Sequence, residues 1–413
     1  MNPSVLSPAR LRVVLATAAV VGWAMFAIIA FRAFQATPRA SGFDLELLIA
    51  GGRHVAAGQS PYAAAMLAGR SVEIATLFYS YPPLVAQAFS LLAWLPSGAI
   101  FAAAVALASV AAVAVGGAIA SVIRSTAAAR GLLLPLAAAL PFWFPFTVGM
   151  LFGNLDIFFP ALYGLVLIPA ILPARAEHED RWVVIAGIAL ALASVTKLHP
   201  AVLGLWFLVR GAVELRRGDE RRPFGPVRLP RSWRVAAVAI VAVAVLVGTS
   251  LLVGGTGPWA EYVSVLRAGA SVDLLDSRNL GPAVQLVMLL GLPPSAVGPI
   301  QVVILIAALV VTTVAALSVK DPLESLLWAA IASFVVLPVT WFHHFAALIP
   351  FGVAALVRAD LADRQTRQRF IGLVIASFAI GAIGFGQPPT WLLGPIFLAG
   401  ARLSRPRLEP ART

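Results

Sequence analysis

Two carboxylates, Asp44 and Glu46, follow the first hydrophobic stretch of this sequence. A carboxylate that is held in place can take a proton from a reacting hydroxyl group, which is general base catalysis. The alternative for Asp44 is that its side chain caps the helix that starts there. Glu46 lies two residues further on, where a helix directs it to a different face. Asp44 is therefore the candidate base, and Glu46 is a candidate substrate contact or a loop-surface carboxylate.

A pair of histidines, His343 and His344, follows Trp341 near the C-terminal end of an apolar segment. Adjacent side chains on a helix diverge, so this spacing does not predict a pair of metal ligands. The sequence contains no Cys, which excludes disulfides and zinc–thiolate sites. We therefore predict no metal site, and one histidine that contacts a substrate.

The composition indicates a protein that crosses the membrane several times. Of the 413 residues, 60% are hydrophobic and only 12% are charged. Lys and Arg total 30, against 18 Asp and Glu. In so hydrophobic a chain this basic excess indicates topology and attraction to anionic lipid headgroups, and no nucleic-acid partner.

Apolar runs of the length that a bilayer requires predict an all-α integral membrane bundle with about 12 transmembrane helices. The runs lie near residues 12–36, 99–123, 131–150, 155–172, 182–197, 199–210, 235–254, 299–319, 323–341, 345–357, 370–386 and 391–401. The segment 83–95 is either another span or an interfacial helix. Pro82-Pro83 favours an extended start to a helix that lies flat on the bundle.

The distribution of basic residues separates these two interpretations of 83–95. If 83–95 stays outside and the chain breaks at 197–200, most of the 30 Lys and Arg residues fall on the cytoplasmic side, as the positive-inside rule requires. We therefore predict one transmembrane domain over 1–413. It has external loops at 37–97, with juxtamembrane helices, and at 254–298, an Arg-rich cytoplasmic loop at 210–234 and a cytoplasmic tail at 402–413. Ionisable groups other than arginine anchors gather on the external side, which is a functional-site hypothesis.

An ordered set of short motifs resembles glycosyltransferase family 87, a family of the GT-C superfamily. The resemblance runs from about residue 12 to 360 and no single motif carries it. The motifs are an acidic residue after the first span, Gly58-Gln59-Ser60-Pro61-Tyr62, Tyr79-Ser80-Tyr81-Pro82-Pro83-Leu84, Gly153-Asn154, Thr196-Lys197-Leu198-His199-Pro200 and Trp341-Phe342-His343-His344.

This resemblance implies an enzyme that transfers a hexose from a polyprenyl-phosphate-sugar donor to a hydroxyl of a glycolipid or glycan. The hexose expected from the resemblance is mannose. The reaction would take place outside the cytoplasmic membrane, and the family includes α-1,2-mannosyltransferases that act on phosphatidylinositol mannosides. Because the leaving group is already a stabilised phosphate, one base suffices, and attack from the opposite face inverts the anomeric carbon. By position and by resemblance, that base is Asp44. No cofactor is expected.

The remaining polar residues of the external side are candidates for binding the substrates. A compact ammonium suits a phosphate as a point charge, so the donor phosphate is assigned to Lys197, with His344 and Arg278. The alternative for Lys197 is snorkelling to the headgroups. Other substrate contacts are assigned to His343, His199, Tyr62, Tyr81, Asn154, Asp156 and Glu46. For Asp156 the alternative is helix capping, and for the tyrosines it is the aromatic belt at the membrane interface.

Two further classes of protein share this composition. A polytopic lipid or solute transporter would show paired halves with matching broken helices and an ionisable residue near mid-membrane. A scaffold protein would not need an acid, a lysine and histidines on one side. Within the transferases, a lipid-linked glucose, galactose or arabinofuranose is the alternative to mannose.

Overall fold

The structure is a computed structural model, and it describes residues 7–36, 41–67, 79–173, 176–225, 227–268 and 275–405. Parts of the predicted external loops 37–97 and 254–298 lie outside the described residues, as does most of the predicted tail 402–413.

The described residues are mainly helical, which confirms the all-α prediction in its main part. The α-helices are α1 Pro8–Gln35, α2 Phe43–Ala56, α3 Ala64–Leu67, α4 Pro83–Ser90, α5 Ser97–Ile123, α6 Thr126–Ala139, α7 Phe144–Phe152, α8 Phe159–Ile171, α9 Glu179–Thr196, α10 Ala201–Arg217, α11 Arg231–Gly254, α12 Gly257–Ala268, α13 Pro282–Leu290, α14 Val297–Ser318, α15 Pro322–Ser333, α16 Ile349–Arg358, α17 Arg364–Ile383 and α18 Leu393–Leu403. Short 3-10 helices lie at Leu140–Phe142, Leu155–Phe158, Pro294–Ala296, Phe342–Leu348 and Pro388–Leu392.

One small hairpin interrupts this helical pattern, inside the Arg-rich loop 210–234. Strand β1 (Arg221–Phe224) pairs antiparallel with β2 (Val227–Pro230), so that Arg221 faces Pro230 and Phe224 faces Val227. Gly225 at the turn has a φ of 58°, a left-handed conformation that glycine adopts without steric cost. This short hairpin leaves the fold in the all-α class.

The predicted count of about 12 membrane-crossing helices is not confirmed. Among the described residues, five helices are long and apolar enough to cross a bilayer, namely α1, α5, α11, α14 and α17. Their exposed side chains include many large aliphatic residues, as lipid-facing surfaces do. The pair α6 and α7 is a sixth candidate, bent by 67°. The other predicted spans fall on helices that are shorter or carry more charge.

The bend between α6 and α7 has a local cause. Pro141 and Pro145 flank Trp143, whose backbone is extended rather than helical. Proline removes a helical hydrogen bond and clashes with the preceding turn, which is the usual origin of a sharp kink. The bend brings α7 and the turn after it to the end of the molecule where α2 begins.

Segment 83–95 does not form a span. Helix α4 contains only 8 residues and is followed by turns, so it covers about 12 Å at the helical rise of 1.5 Å per residue. It packs between α2 and α11. The interfacial interpretation of this segment agrees with that length.

The two ends of the bundle differ in chemistry. Helix α16 ends at Arg358, and there Arg124 donates to the Ala359 carbonyl oxygen at 2.7 Å. Helix α8 ends near Leu172, whose carbonyl oxygen accepts from Arg231 at 2.8 Å. Both α8 and α16 begin at the opposite end, beside the buried carboxylate Asp156. The arginine-rich turns and the acid–lysine–histidine cluster therefore lie at opposite ends of the same helices.

Candidate active site

The start of α2 is fixed against the end of α7 by backbone contacts. The Gly42 N–H donates to the Leu151 carbonyl oxygen at 2.8 Å, and the Ser41 hydroxyl donates to the same oxygen at 3.0 Å. Gly42 and Gly153 both have left-handed φ angles, of 73° and 68°. A Cβ on Gly153 would lie 2.8 Å from the Cβ of Leu45, so only glycine allows this close approach.

This approach places Asp44 against Asn154. The Asn154 Nδ2 donates to Asp44 Oδ2 at 2.7 Å. The N-cap residue of α2 is Gly42, without a side-chain capping bond. The structure therefore contradicts the capping alternative for Asp44. Asn154 is itself the cap of the following 3-10 helix, because its Oδ1 accepts from the Asp156 N–H at 2.9 Å. The cap predicted as an alternative role for Asp156 belongs to Asn154.

Lys197 pairs with Asp156 across the site. Helix α9 ends at Thr196, and the extended backbone at Lys197 directs the chain to the start of α10. The Lys197 Nζ lies 2.8 Å from Asp156 Oδ1 and 2.9 Å from Oδ2. The two side chains are 13% and 1% exposed. Lys197 is thus a buried ion-pair partner, and the snorkelling alternative is wrong.

The two adjacent histidines converge on the same carboxylate. The His343 Nε2 lies 3.4 Å and the His344 Nε2 3.1 Å from Asp156 Oδ2, and the rings are inclined at 86°. Adjacent side chains of the 3-10 helix Phe342–Leu348 also diverge, yet both rings reach the same carboxylate oxygen, so the expectation that this spacing cannot serve one ligand is wrong here. His199 is buried behind them and its ring stacks on that of His344.

The atoms of Asp156, His343 and His344 are close enough to hold a cation, with ligand-type atoms within 4.8 Å of one another. The Lys197 ammonium, however, already lies against both oxygens of Asp156 and 3.3 Å from His344 Nε2. It supplies the positive charge that a metal ion would bring to these groups. The arrangement is therefore explained by the lysine, and the absence of a metal requirement remains a prediction.

A cavity of about 630 Å³ opens over this cluster. Seven of the predicted site residues line it, and these are Asp44, Tyr81, Asn154, Lys197, Arg278, His343 and His344. The rest of the wall is mainly apolar and includes Val148, Phe152, Leu198, Val265, Leu337 and Phe342. A cavity with a small number of convergent polar groups on an apolar wall is the usual form of a site for an amphipathic ligand.

Four predicted contact residues do not line the cavity, and these are Glu46, Tyr62, Asp156 and His199. Asp156 is fully buried beneath the wall, where it balances Lys197. Tyr62 is 4% exposed and donates to the Tyr81 carbonyl oxygen at 2.9 Å, so it supports the loop that carries Tyr81. The substrate contacts predicted for these four residues have no support in this geometry.

The predicted second external loop, 254–298, contributes residues that the sequence did not single out. Tyr262 lines the cavity and stacks on Tyr62 at 6.2 Å between ring centroids. Asp276 accepts from Arg278, with 2.5 Å between Oδ2 and Nη2. The next residue, Asn279, is fully buried and accepts from the Thr340 N–H at 2.9 Å, which anchors the loop. The clustering of aromatic residues in both loops could have indicated that Tyr262 belongs to the site.

Burial changes the acidity of the candidate base. The apolar surroundings raise the pKa of Asp44 from its ordinary value of 3.8 to about 6, although the hydrogen bond from Asn154 and the charge of Lys197 act in the opposite direction. A general base works best when its pKa lies near the pH at which it operates. Asp44 is therefore poised to exchange a proton near neutral pH.

The fold and this site together define a multi-pass membrane protein in which an acid, a lysine and histidines converge on one cavity. The model of glycosyltransferase family 87 matches residues 79–340, and the chain belongs to this family. The protein is therefore a glycosyltransferase, which confirms the resemblance seen in the sequence and sets aside the transporter and scaffold alternatives. No curated protein matches the sequence significantly.

The matched stretch contains only part of the site. Asn154, Lys197 and Arg278 lie within it, whereas Asp44 and the histidine pair lie outside. The link is structural, since Asp44 is bonded to Asn154 and both histidines approach Asp156. The family match and the cavity thus describe the same site from different residues.

Proposed function

We propose that this glycosyltransferase moves a hexose, which we assign as mannose, from a polyprenyl-phosphate-sugar to a hydroxyl of a glycolipid or glycan. The transfer inverts the configuration of the anomeric carbon. One observation carries the proposal: a single apolar cavity presents the Asp44 carboxylate together with Lys197, His344 and Arg278. A lipid-linked sugar phosphate is amphipathic and anionic, and it needs both an apolar wall and positive charge.

In this mechanism the oxygen of the acceptor hydroxyl attacks the anomeric carbon while Asp44 takes its proton. The bond between the anomeric carbon and the phosphate oxygen breaks, and its electron pair leaves with the polyprenyl phosphate. Negative charge grows on that phosphate. Positive groups that are fixed before the reaction stabilise such charge without reorganisation. We assign this role to Lys197 and Arg278, with His344 as a hydrogen-bonding partner.

The pairing of Lys197 with Asp156 affects how the lysine acts. Besides Asp156, its ammonium lies 3.4 Å from Asn154 Oδ1 and 3.3 Å from His344 Nε2. The Trp341 N–H donates to His344 Nδ1, so Nε2 carries the hydrogen and faces Asp156. The acceptors that hold Nζ at the cavity wall are therefore Asp156 and Asn154. A fixed ammonium stabilises the negative charge that grows on the phosphate, and the buried Asp156 orients that lysine.

The separation of charges supports an active site outside the cytoplasmic membrane. Arginine-rich turns gather at the end of α8 and α16 that lies away from the cavity. By the positive-inside rule that end is cytoplasmic. The cavity would then face the exterior, or the periplasm where an outer membrane exists, where lipid-linked sugar donors can supply energy without nucleotides.

Radiolabel transfer tests the proposal. Detergent-purified protein is given synthetic polyprenyl-phosphate-mannose with phosphatidylinositol mannosides as acceptors, and Asp44→Asn is the inactive control. We expect labelled product with wild type alone. Matched donors that carry glucose, galactose or arabinofuranose test the sugar. Faster transfer from one of these donors would overturn the assignment to mannose, and equal transfer by Asp44→Asn would overturn the mechanism.

A further inference from the structure

We propose that Asn154 is a positioning residue that selects which carboxylate oxygen of Asp44 receives the proton of the acceptor. This inference rests on the proposed function, because it deepens the role of Asp44. The proposal is based on two hydrogen bonds of the Asn154 side-chain amide. Its Nδ2 donates to Asp44 Oδ2 at 2.7 Å, and its Oδ1 accepts from the Asp156 N–H at 2.9 Å.

The orientation of the Asn154 amide follows from its partners. A backbone N–H and a lysine ammonium can only donate hydrogen bonds. Both the Asp156 N–H and the Lys197 Nζ approach the same atom of the amide, at 2.9 Å and 3.4 Å. That atom must be the oxygen. The nitrogen then points at Asp44 and donates to it.

Because the amide nitrogen donates, Asp44 Oδ2 must accept and cannot carry a proton on the lone pair that it uses. This bond also makes the second lone pair of Oδ2 less basic, so we assign the proton that leaves the acceptor hydroxyl to Asp44 Oδ1. The hydroxyl oxygen gains the bond to the anomeric carbon as it loses the bond to hydrogen, and the phosphate leaves with the electron pair. Asn154 neither gains nor loses a proton.

Asn154 is held too firmly to follow Asp44 if the carboxylate rotates. Its own N–H donates to the Gly149 carbonyl oxygen at 3.0 Å, and its carbonyl oxygen accepts from Ile157 at 3.3 Å. The residue is 4% exposed. With one side of the carboxylate anchored, the geometry of the base is set before substrates bind, as efficient proton transfer requires.

The hydrogen bond also affects the acidity of the base. Three ionisable groups face Asp44: Lys197 and Asp156 by charge, and Tyr81 from the first loop. Burial raises the pKa of Asp44, and the Asn154 donor lowers it. Loss of this donor must raise that pKa further, so the carboxylate would require a higher pH to act as a base.

Two substitutions separate this role from the capping role of Asn154. Asn154→Ala removes both the cap and the donor. Asn154→Asp keeps a good N-cap, since Asp and Asn cap equally well, but it turns a carboxylate oxygen toward Asp44. If Asn154 only capped the 3-10 helix, the aspartate variant would behave as wild type. If it positions the base, the two carboxylates compete for one proton.

The experiment measures kcat/KM against pH with polyprenyl-phosphate-mannose and phosphatidylinositol mannosides. We expect the acidic limb to move up by about one pH unit in Asn154→Ala, the size expected for loss of a hydrogen bond to a charged group. Asn154→Asp should move it further. Gln87→Ala is the matched control, because this buried amide donates to the Ser250 carbonyl oxygen away from the cavity. Its profile should stay in place.

Infrared titration of the carboxyl C=O stretch checks the same shift without substrate. The band assigned by its loss in Asp44→Asn should titrate at higher pH in both Asn154 variants. An unchanged titration in Asn154→Asp would overturn the inference, even if the alanine variant failed to fold. The proposed function fails by a different result, namely full transfer activity in Asp44→Asn.

Discussion

Lys197 and Asp156 form a bidentate ion pair beneath the cavity wall, with 2.8 Å and 2.9 Å between Nζ and the two carboxylate oxygens. The carboxylate is nearly inaccessible, at 1% exposure. Removing one partner of such a pair leaves a buried charge without compensation, whereas replacing both is tolerated far better. Structural and catalytic contributions of Lys197 are therefore separable by experiment.

We predict that Lys197→Ala destabilises the protein by about 3–5 kcal/mol, because Asp156 loses its counter-charge. Lys197→Met combined with Asp156→Asn should recover most of the thermal stability in detergent. The double variant should remain far less active than wild type, since only Arg278 then brings positive charge to the leaving phosphate. Differential scanning fluorimetry and donor-titration kinetics on the same preparations measure the two effects.

Lys197→Arg is the control for charge. It should retain part of the activity, with a higher donor KM, because the guanidinium keeps the charge but not the compact shape of the ammonium. Wild-type activity in the stable double variant would remove Lys197 from the site and leave it a purely structural role.

Replacement of the base is the second prediction. Asp44→Asn should keep the bond to Asn154 through its carbonyl oxygen and preserve the fold, yet lower kcat by about 10²- to 10⁴-fold. Donor binding should persist, as measured by retention of radiolabelled polyprenyl-phosphate-mannose. Glu46→Gln is the matched control, since this second carboxylate of α2 does not line the cavity. Loss of activity in Glu46→Gln with full activity in Asp44→Asn would exchange their roles.

The sequence predicted which ionisable residues share the site better than it predicted their partners. Asp44, Lys197 and His344 all line the cavity, as expected of costly groups gathered at one membrane face. The hydrogen bonds were not predictable. Asn154 and Asp44 are separated by 110 residues, and their contact depends on the close approach at Gly153, a feature of tertiary packing.

Burial was unpredictable for the same physical reason. Asp156 and His199 were assigned to the substrate because they are polar, and tertiary packing buries both below the wall, so these contacts stay predictions. Polar type and membrane side do not distinguish a residue that touches the ligand from one that supports it. Likewise, hydrophobic length alone did not separate the long apolar helices from short buried ones such as α8 and α16, so the predicted number of spans stays a prediction.

The acidity of Asp44 yields a prediction about stability. Its pKa in the folded protein is raised to about 6 from an ordinary value of 3.8, mainly by burial. The folded state therefore binds this proton more tightly than the unfolded state does. The resulting stabilisation is complete below the unfolded value and is lost as the pH rises through about 6.

Asp44→Asn resembles the protonated acid at every pH. We expect its free energy of unfolding to match that of wild type at low pH. Above about pH 7 it should exceed the wild-type value by an amount on the order of 2 kcal/mol. Thermal unfolding in detergent across this range measures the difference. A gap between the two proteins that is constant with pH would contradict the raised pKa.

The orientation of the protein is the fourth prediction. The natural sequence has no Cys, so a single introduced cysteine reports its own side of the membrane. Gln59 lies in the first loop and Asp219 follows α10, and both are exposed. A membrane-impermeant maleimide should label Gln59→Cys in intact cells, and Asp219→Cys only after permeabilisation. Labelling of both cysteines in intact cells would contradict the separation of the arginine-rich end from the active-site end.

The last prediction concerns the ion pair at the mouth of the cavity. Arg278 is 56% exposed and is bound by Asp276, with 2.9 Å between Nε and Oδ1. This carboxylate has a lowered pKa because of its bonds to the arginine. A donor phosphate that approaches Arg278 must compete with Asp276 for the same guanidinium. Exposed ion pairs are weak, about 0.2–1 kcal/mol, so such an exchange costs little.

The two substitutions should then act in opposite directions on the donor KM. Arg278→Ala should raise it by about 10-fold or more, the cost of losing a hydrogen bond to a charged group. Asp276→Asn should lower it by up to about 5-fold, because the competing carboxylate is gone. Arg278→Lys, which keeps the charge without the planar fork, should fall between Arg278→Ala and wild type. Donor titration of the purified variants at fixed acceptor concentration measures these values. A rise in KM for Asp276→Asn as large as that for Arg278→Ala would show that Asp276 holds the arginine in its binding position and does not compete with the phosphate.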